Sequence, residues 1–379
     1  MKNTMSLPKR LESLDALRGF DLFFLVALGP LMRSLARAAD VEWLNQSMWI
    51  FKHVSWEGFS PWDLIMPLFL FMSGISMPFS LSRYKTMPDK KPLLRRLAKR
   101  ILLLWIFGMM CQGNLLALDP NKIYLYSNTL QAIAAGYLIT ALLSLFTSRR
   151  TQIISAAVLL LIYWAAMQFI TVGGYGGGNY TPEGNLAEWI DSVVLGRFRD
   201  TAQVIDGQVV VADSYHYTWI LSSLNFGVTV LTGLFAGYIA KDKIDEKKKV
   251  KLYFGIGAAL VIAGWLWNFQ MPVIKIIWTS SMVLVSSGYC FLLMGLFYYW
   301  IDYKGHRSGI TWLKVYGMNS IVAYMLANVL DFSSIGQSLL FGLEQYIGSY
   351  YSFLMVLWNA AVIYVILSVM YKRGIFLKV

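Results

Sequence analysis

The sequence predicts an all-α polytopic membrane protein of about ten transmembrane helices, with both termini cytoplasmic and one long outer loop. Hydrophobic residues make up 57% of the 379-residue chain and charged residues only 14%, against about 25% charged in a soluble domain. The mean hydropathy is +0.53, and the apolar residues fall into runs of about twenty, the length that crosses a bilayer's hydrocarbon core. With the N-terminus placed inside, 26 of the 33 Lys and Arg fall on inner segments. Only Arg33, Arg37, Lys52, Lys122, Arg197, Arg199 and Lys275 fall outside, a bias that orients membrane proteins.

The spans are expected near 15–36, 61–82, 101–119, 124–146, 151–171, 218–240, 252–270, 278–301, 312–332 and 349–371. The first begins "RLESLDALRGFDLFF", which sets Asp15, Arg18 and Asp21 along one helical face. Ionisable groups at that depth face a cavity or a partner. They form either an intrahelical ion-pair ladder or a polar entrance with Arg18 toward an anionic ligand. "ARA" at 36–38 resembles a signal-peptide cleavage site, but Arg18, Asp21 and the length of the run argue for an uncleaved first helix.

Before the second span comes "FKHVSWEGFSPWDL". "SPWD" reads as a helix start: Ser60 caps, Pro61 suits the first turn and Asp63 complements the positive end of the dipole. His53 is one of three histidines in the chain and titrates near neutrality. Glu57 or Asp63 could orient its ring. Its plain alternative is an interfacial histidine among the tryptophans of a membrane boundary.

Between the second and third spans the inner segment 83–100 carries eight basic residues, including Arg95, Arg96, Lys99 and Arg100. The basic charge is a topological anchor with some attraction for anionic lipid or phosphate, and nucleic-acid binding is not expected. Between the fifth and sixth spans, the outer loop 172–217 opens on "VGGYGGGNYTPEGN", holds a short helix over 186–196 and ends on His216. Its length suggests a lid or pocket wall. The glycine run is no phosphate loop, since it follows a helix and lacks the Lys-Ser/Thr ending. His216 could approach His53 or be a solvated loop residue.

Lys275, in "NFQMPVIKIIWTSSMVL", precedes the eighth span as either a snorkelling lysine or a cation for an acidic or hydroxylated sugar. Asn319 and Asn328 of the ninth span serve as interhelical hydrogen-bond donors. Cys111 and Cys290 sit inside apolar runs with no disulfide or metal spacing, and the scattered histidines make no metal site.

"SLDALRGFD", "HVSWEGFSPWDLIMPLFLFMSG", "LQAIAAGYL", "MPVIKIIWTSSMVL" and "GMNSIVAY" together resemble the heparan-α-glucosaminide N-acetyltransferase family, in order and across essentially the whole chain from Arg10. The resemblance implies a single transmembrane acyltransferase domain that takes acetyl from cytoplasmic acetyl-CoA. It delivers the acetyl group to the amine of a glucosamine-type sugar or glycan on the far side. The family's active-site histidine falls at His53, as general base or as acetyl acceptor. Asp63 or Glu57 would orient it, Trp56 or Trp62 would stack on the sugar, and Lys275 and His216 would hold it. Arg18 with Arg95, Arg96, Lys99 and Arg100 would hold the CoA phosphates. Glu57 stands where relatives often have Asn, and is where the acceptor is expected to differ. The expected setting is a bacterial inner membrane, with the lipid bilayer and a second copy of the chain as partners. Two rival readings stay open: a transporter or flippase for a sugar or lipid-linked substrate, and an O-acyltransferase for a cell-surface glycan.

Overall fold

The computed structural model describes residues 11–85, 89–211 and 217–377. The chain is a helical bundle, and eight of its described helices are long and apolar enough to cross a membrane: Glu12–Ala39, Pro61–Leu81, Thr129–Phe146, Arg149–Phe169, Ser222–Lys241, Glu246–Trp267, Ser280–Tyr303 and Tyr350–Lys372. It is an all-α, multi-pass membrane protein.

The two other expected spans are helical but differ in form. The third is Lys91–Cys111. It begins with its basic residues inside the helix, and Gly113, Asn114 and Leu115 turn the chain before the apolar run is over. The ninth breaks into Thr311–Met318 and Ser320–Val329. At the break, the Asn319 amide donates to the Ile375 carbonyl at 3.0 Å and its oxygen accepts from the Leu377 N–H at 3.1 Å. Its side chain thus ties down the C-terminal segment instead of a neighbouring helix. Asn328 donates to the Tyr324 carbonyl of its own helix at 2.8 Å.

Helices differ in how much they bury. Arg149–Phe169, Glu246–Trp267 and Tyr350–Lys372 keep most of their apolar surface outside, as lipid-facing helices do, whereas Pro61–Leu81, Ser222–Lys241 and Ser280–Tyr303 are largely enclosed. Helices in lipid gain little from burying apolar surface against each other, so close packing of small residues has to hold the centre. A Cβ placed on Gly233 would stand 1.9 Å from the Phe71 carbonyl oxygen, and one on Gly74 would stand 2.1 Å from that of Val230. The helices Pro61–Leu81 and Ser222–Lys241 therefore touch backbone to backbone.

The first helix carries a π-helical turn at Phe24–Leu28. Pro30 has no N–H to give the Val26 carbonyl, which loosens the turn before it. The loop 172–217 holds a hairpin pairing Thr171–Val172 with Tyr175–Gly176, a helix Leu186–Leu195 and a second hairpin pairing Gln203–Ile205 with Gln208–Val210. The expected helix at 186–196 is thus present, and the glycine run is a hairpin turn. Asn185 caps that helix through the Glu188 N–H at 2.9 Å. Asp191 accepts from the N–H groups of Trp219 at 2.7 Å and Ile220 at 3.0 Å, which anchors the chain segment that carries Tyr217.

Candidate active site

The site grows from one helix start. Ser60 and Asp63 form a capping box, with Pro61 in the first turn. The Asp63 N–H donates to the Ser60 carbonyl at 3.0 Å, and the Ser60 N–H donates back to Asp63 Oδ2 at 3.0 Å. The Ser60 hydroxyl, with one proton to give, lies 2.7 Å from the Lys52 carbonyl and 2.9 Å from Oδ2. Val54 N–H also reaches Oδ2, at 3.3 Å. One carboxylate oxygen is thereby used up by the cap, and the other points at His53: Oδ1 stands 2.6 Å from Nδ1.

A carboxylate that close assigns the imidazole proton to Nδ1 and leaves the lone pair on Nε2. Asp63 is buried, while the His53 side chain keeps 46% of its surface exposed. Burial lowers the His53 pKa below its ordinary 6.5; the Asp63 hydrogen bond opposes the shift, and the nearby Lys275 and Arg33 charges add to it. The ring is therefore neutral at pH 7.

Lys275 comes from 222 residues away. Its ammonium lies 3.2 Å from His53 Nδ1, 3.4 Å from Nε2 and 3.8 Å from Asp63 Oδ1, and it donates to the Tyr217 hydroxyl at 3.1 Å. A short backbone pairing brings the two loops together: Glu57 bridges to Ile274 and the Gly58 N–H donates to Val273 O at 2.8 Å. Beyond Lys275 the chain makes a tight turn, with Trp278 at a φ of 52° and its N–H on the Lys275 carbonyl at 3.0 Å. Asn225 holds the Trp278 carbonyl at 2.7 Å, so the lysine stands on a rigid support.

His53, Lys275, Tyr217, Trp62 and Trp219 line one side of a vestibule of about 850 Å³, with Gln112, Ser127, Asn328 and Asn359 among the residues facing it elsewhere. Among the described residues, Ser127 Oγ, Trp219 Nε1 and Asn359 Oδ1 are buried there without a hydrogen-bond partner.

Phe69, Thr129 and Tyr324 line the vestibule and also a second cavity of about 350 Å³ at the other end of the bundle, bordered by Arg18 and Arg100. These residues form a neck. The Phe69 and Tyr324 ring centroids are 6.5 Å apart, and the Asn128 amide holds the Tyr324 hydroxyl at 3.1 Å. Arg100 also borders a third cavity of about 410 Å³, shared with Arg96 and Lys99. Its Nε is buried without a hydrogen-bond partner among the described residues, and its guanidinium lies 4.1 Å from the Tyr137 ring centroid. Arg18 donates to the Met72 carbonyl at 3.4 Å and sits 3.9 Å from Asp15.

Of the residues singled out from sequence, the fold brings His53, Asp63, Lys275 and Trp62 together, and gathers Arg18, Arg96, Lys99 and Arg100 at the opposite end. Arg95 is exposed and borders none of these cavities. Glu57 is exposed and, among the described residues, its carboxylate makes no hydrogen bond or ion pair; its backbone does the bridging. Trp56 turns to the long loop, donating to the Tyr180 carbonyl at 2.9 Å. His216 lies outside the described residues. Sequence reasoning missed Tyr217, Phe69, Asn128 and Tyr324. The aromatic run "YHYTW" at 215–219 was a signal for the first; the others look like ordinary helix residues.

Residues 10–175 match the model of a family described as heparan-alpha-glucosaminide N-acetyltransferase, catalytic. The chain is 26% identical to human heparan-alpha-glucosaminide N-acetyltransferase over 374 residues, covering 86% of this chain and 54% of that protein. The mouse protein of the same name is 25% identical over 369 residues, covering 85% and 54%. The chain thus spans about half the length of the curated relatives it matches. The matched region holds His53, Asp63 and the basic residues from Arg18 to Arg100, and the chain is similar there to the heparan-alpha-glucosaminide N-acetyltransferase family.

Proposed function

We propose that the chain is a transmembrane N-acetyltransferase that moves acetyl from cytoplasmic acetyl-CoA to the amine of a glucosamine-type sugar at the outer face. One observation carries the reading: a neutral, carboxylate-held imidazole opens on a vestibule that meets, at a narrow neck, a cavity bordered by two arginines.

The donor's chemistry fits that arrangement. The nucleotide and phosphates are too polar to enter lipid and would be held by Arg18, Arg96, Lys99 and Arg100, guanidinium being well matched to phosphate. Arg100 borders both of the cavities at that end. The pantetheine arm is slender enough to thread past Phe69 and Tyr324 and present the thioester to His53. At the vestibule, Gln112 and Asn328 are polar residues for sugar hydroxyls, with Trp62 as an apolar face.

His53 Nε2 is the reacting atom. It takes a proton from the amine as the amine attacks the thioester, or takes the acetyl itself before the sugar arrives. A burst of CoA release without acceptor selects the covalent route; strict dependence on both substrates selects the direct one. The Leu186–Leu195 loop closes the vestibule by holding Tyr217 and Trp219 in place through Asp191.

The decisive experiment offers labelled acetyl-CoA and glucosamine-terminated saccharides to the purified protein. Acetylated amino sugar is the expected product; no transfer to any amino sugar or glycan overturns the proposal. The pH profile follows from His53. The imidazole must be neutral to react and burial lowers its pKa below 6.5, so the His53 limb of activity falls as pH drops through that lowered value, separately from protonation of the amine acceptor. An acid limb centred above 6.5 in kcat/KM for acetyl-CoA, the donor without the titrating amine, contradicts this. Arg100→Gln raises KM for acetyl-CoA by about tenfold, the worth of a charge-assisted contact to phosphate, with the acceptor KM unchanged.

A further inference from the structure

We infer that Gly29 and Arg33, on the outer half of the first helix, are the positioning pair of the active site: they seat Phe51 and Trp62, the two residues between which His53 is hung. The inference rests on the acetyltransferase reading above. Residues 52–60, which include His53, form no helix and pair with another strand only through the Glu57 bridge, so no local hydrogen-bond ladder fixes where the imidazole points. Phe51 stands two residues before His53, and Trp62 stands directly before Asp63. Whatever holds those two aromatic residues holds the imidazole and its carboxylate in register.

One face of the first helix holds both. The Arg33 guanidinium donates to the Phe51 carbonyl at 2.9 Å and lies 4.6 Å from the centroid of the Trp62 ring, within the range of a cation–π contact. Gly29, one turn earlier on the same face, leaves a notch for the far edge of that ring. A Cβ there would stand 2.2 Å from Cη2 and 2.3 Å from Cζ3. The ring has little room to retreat, because Phe24 packs 5.5 Å and Phe51 6.3 Å from it, centroid to centroid. Trp62 is buried as a result, and its ring centroid stands 6.3 Å from that of His53. A planar guanidinium can bond in its own plane and stack on an aromatic face at once, which an ammonium cannot.

Arg33 also reaches the imidazole through its charge. The titratable groups around His53 are Asp63 from its own segment, Lys275 with Tyr217 beside it from two other loops, and Arg33 from the first helix. The two cations favour the neutral ring and Asp63 favours the charged one. Removing Arg33 therefore does two things at once. It loosens the aim of the ring, and it raises the ring's pKa, because a positive charge nearby has gone.

The test compares the full chain in detergent with Arg33→Met, Arg33→Lys, Gly29→Ala, Trp62→Leu and the Gly29→Ala/Trp62→Leu double variant. It measures kcat, both KM values and the acid limb of kcat/KM for acetyl-CoA. Arg33→Met is expected to lower kcat by about 10- to 100-fold, the effect of a reacting group aimed about an ångström off, with the KM for acetyl-CoA within about threefold. Its acid limb moves to higher pH. Arg33→Lys keeps the charge and loses the fork, so its limb stays at the parent's pH while kcat recovers only in part. Gly29→Ala lowers kcat by about tenfold in the parent and by less than about twofold in the Trp62→Leu background, since a ring that is gone cannot be displaced; the double-mutant cycle reads that coupling. Should Arg33→Met fail to fold, Arg33→Lys and the Gly29–Trp62 cycle carry the test. A folded Arg33→Met with kcat within about threefold of the parent and an unmoved acid limb overturns the inference. So does a Gly29→Ala effect of the same size in both backgrounds. If the parent transfers and His53→Ala does not, either failure falls on the positioning pair alone; if the parent transfers nothing, the acetyltransferase reading falls and takes this one with it.

Discussion

His53→Ala is expected to lower acetyl transfer by at least about 10³-fold while the protein stays folded. A positioned general base supplies about 10²- to 10⁴-fold, and a covalent acetyl acceptor supplies more. The fold should tolerate the change, because the His53 side chain is half exposed to the vestibule and the helix cap behind it uses the other oxygen of Asp63. The vacated space adjoins a cavity of about 850 Å³, so added imidazole should enter it and restore part of the rate. The measurement is product formation with size-exclusion behaviour as the folding control. A folded variant that keeps a tenth of the parent's rate removes His53 from the chemistry.

Asp63→Asn should cost nearly as much, for a subtler reason. The amide oxygen can still accept from the Ser60 N–H, so the helix cap survives. What faces Nδ1 is then an NH₂ group, and the imidazole answers by turning acceptor there and carrying its proton on Nε2. The reacting lone pair is lost. The equivalent change in a serine-protease triad lowers kcat by about 10⁴ through the wrong tautomer, and a loss of about 10²- to 10⁴-fold is expected here. Lys275 also loses the carboxylate 3.8 Å from its ammonium, which lowers the thermal midpoint by a few degrees. The check is kcat alongside a melting curve. A folded variant within tenfold of the parent shows that Asp63 does no more than start a helix.

That pair of roles bounds what the sequence could reveal. "SPWD" announces a helix start, and by itself explains Asp63; that a carboxylate has two oxygens and gives the second to His53 becomes visible only in three dimensions. The apolar runs and the basic bias were enough for the class, because length and charge are local properties. Break points were not: the turn after Cys111 and the kink at Asn319 depend on contacts with Tyr124 and with residues 375–377. Lys275 was readable as an unusual cation, but its meeting with His53 comes from a backbone bridge between residues 57 and 274, a non-local pairing that no period in the sequence encodes. Glu57 and Trp56, close to His53 along the chain, turn elsewhere for the same reason. Phe69 and Tyr324 were illegible, since an aromatic residue in an apolar helix looks the same whether it fills a core or narrows a passage.

The neck also has an electrical side. A bundle hollowed from both ends must still insulate, and the section between its two cavities is lined by Phe69, Tyr324 and Thr129. Each unit charge crossing that section would gain or lose about 2.3 kcal/mol per 100 mV. An acetyl thioester carries none. Arg18 and Arg100 lie on one side of the section, and Lys275, Asp63 and His53 on the other. The proposed acetyl transfer past these rings is electroneutral, and its rate should be the same in a polarised vesicle as in detergent.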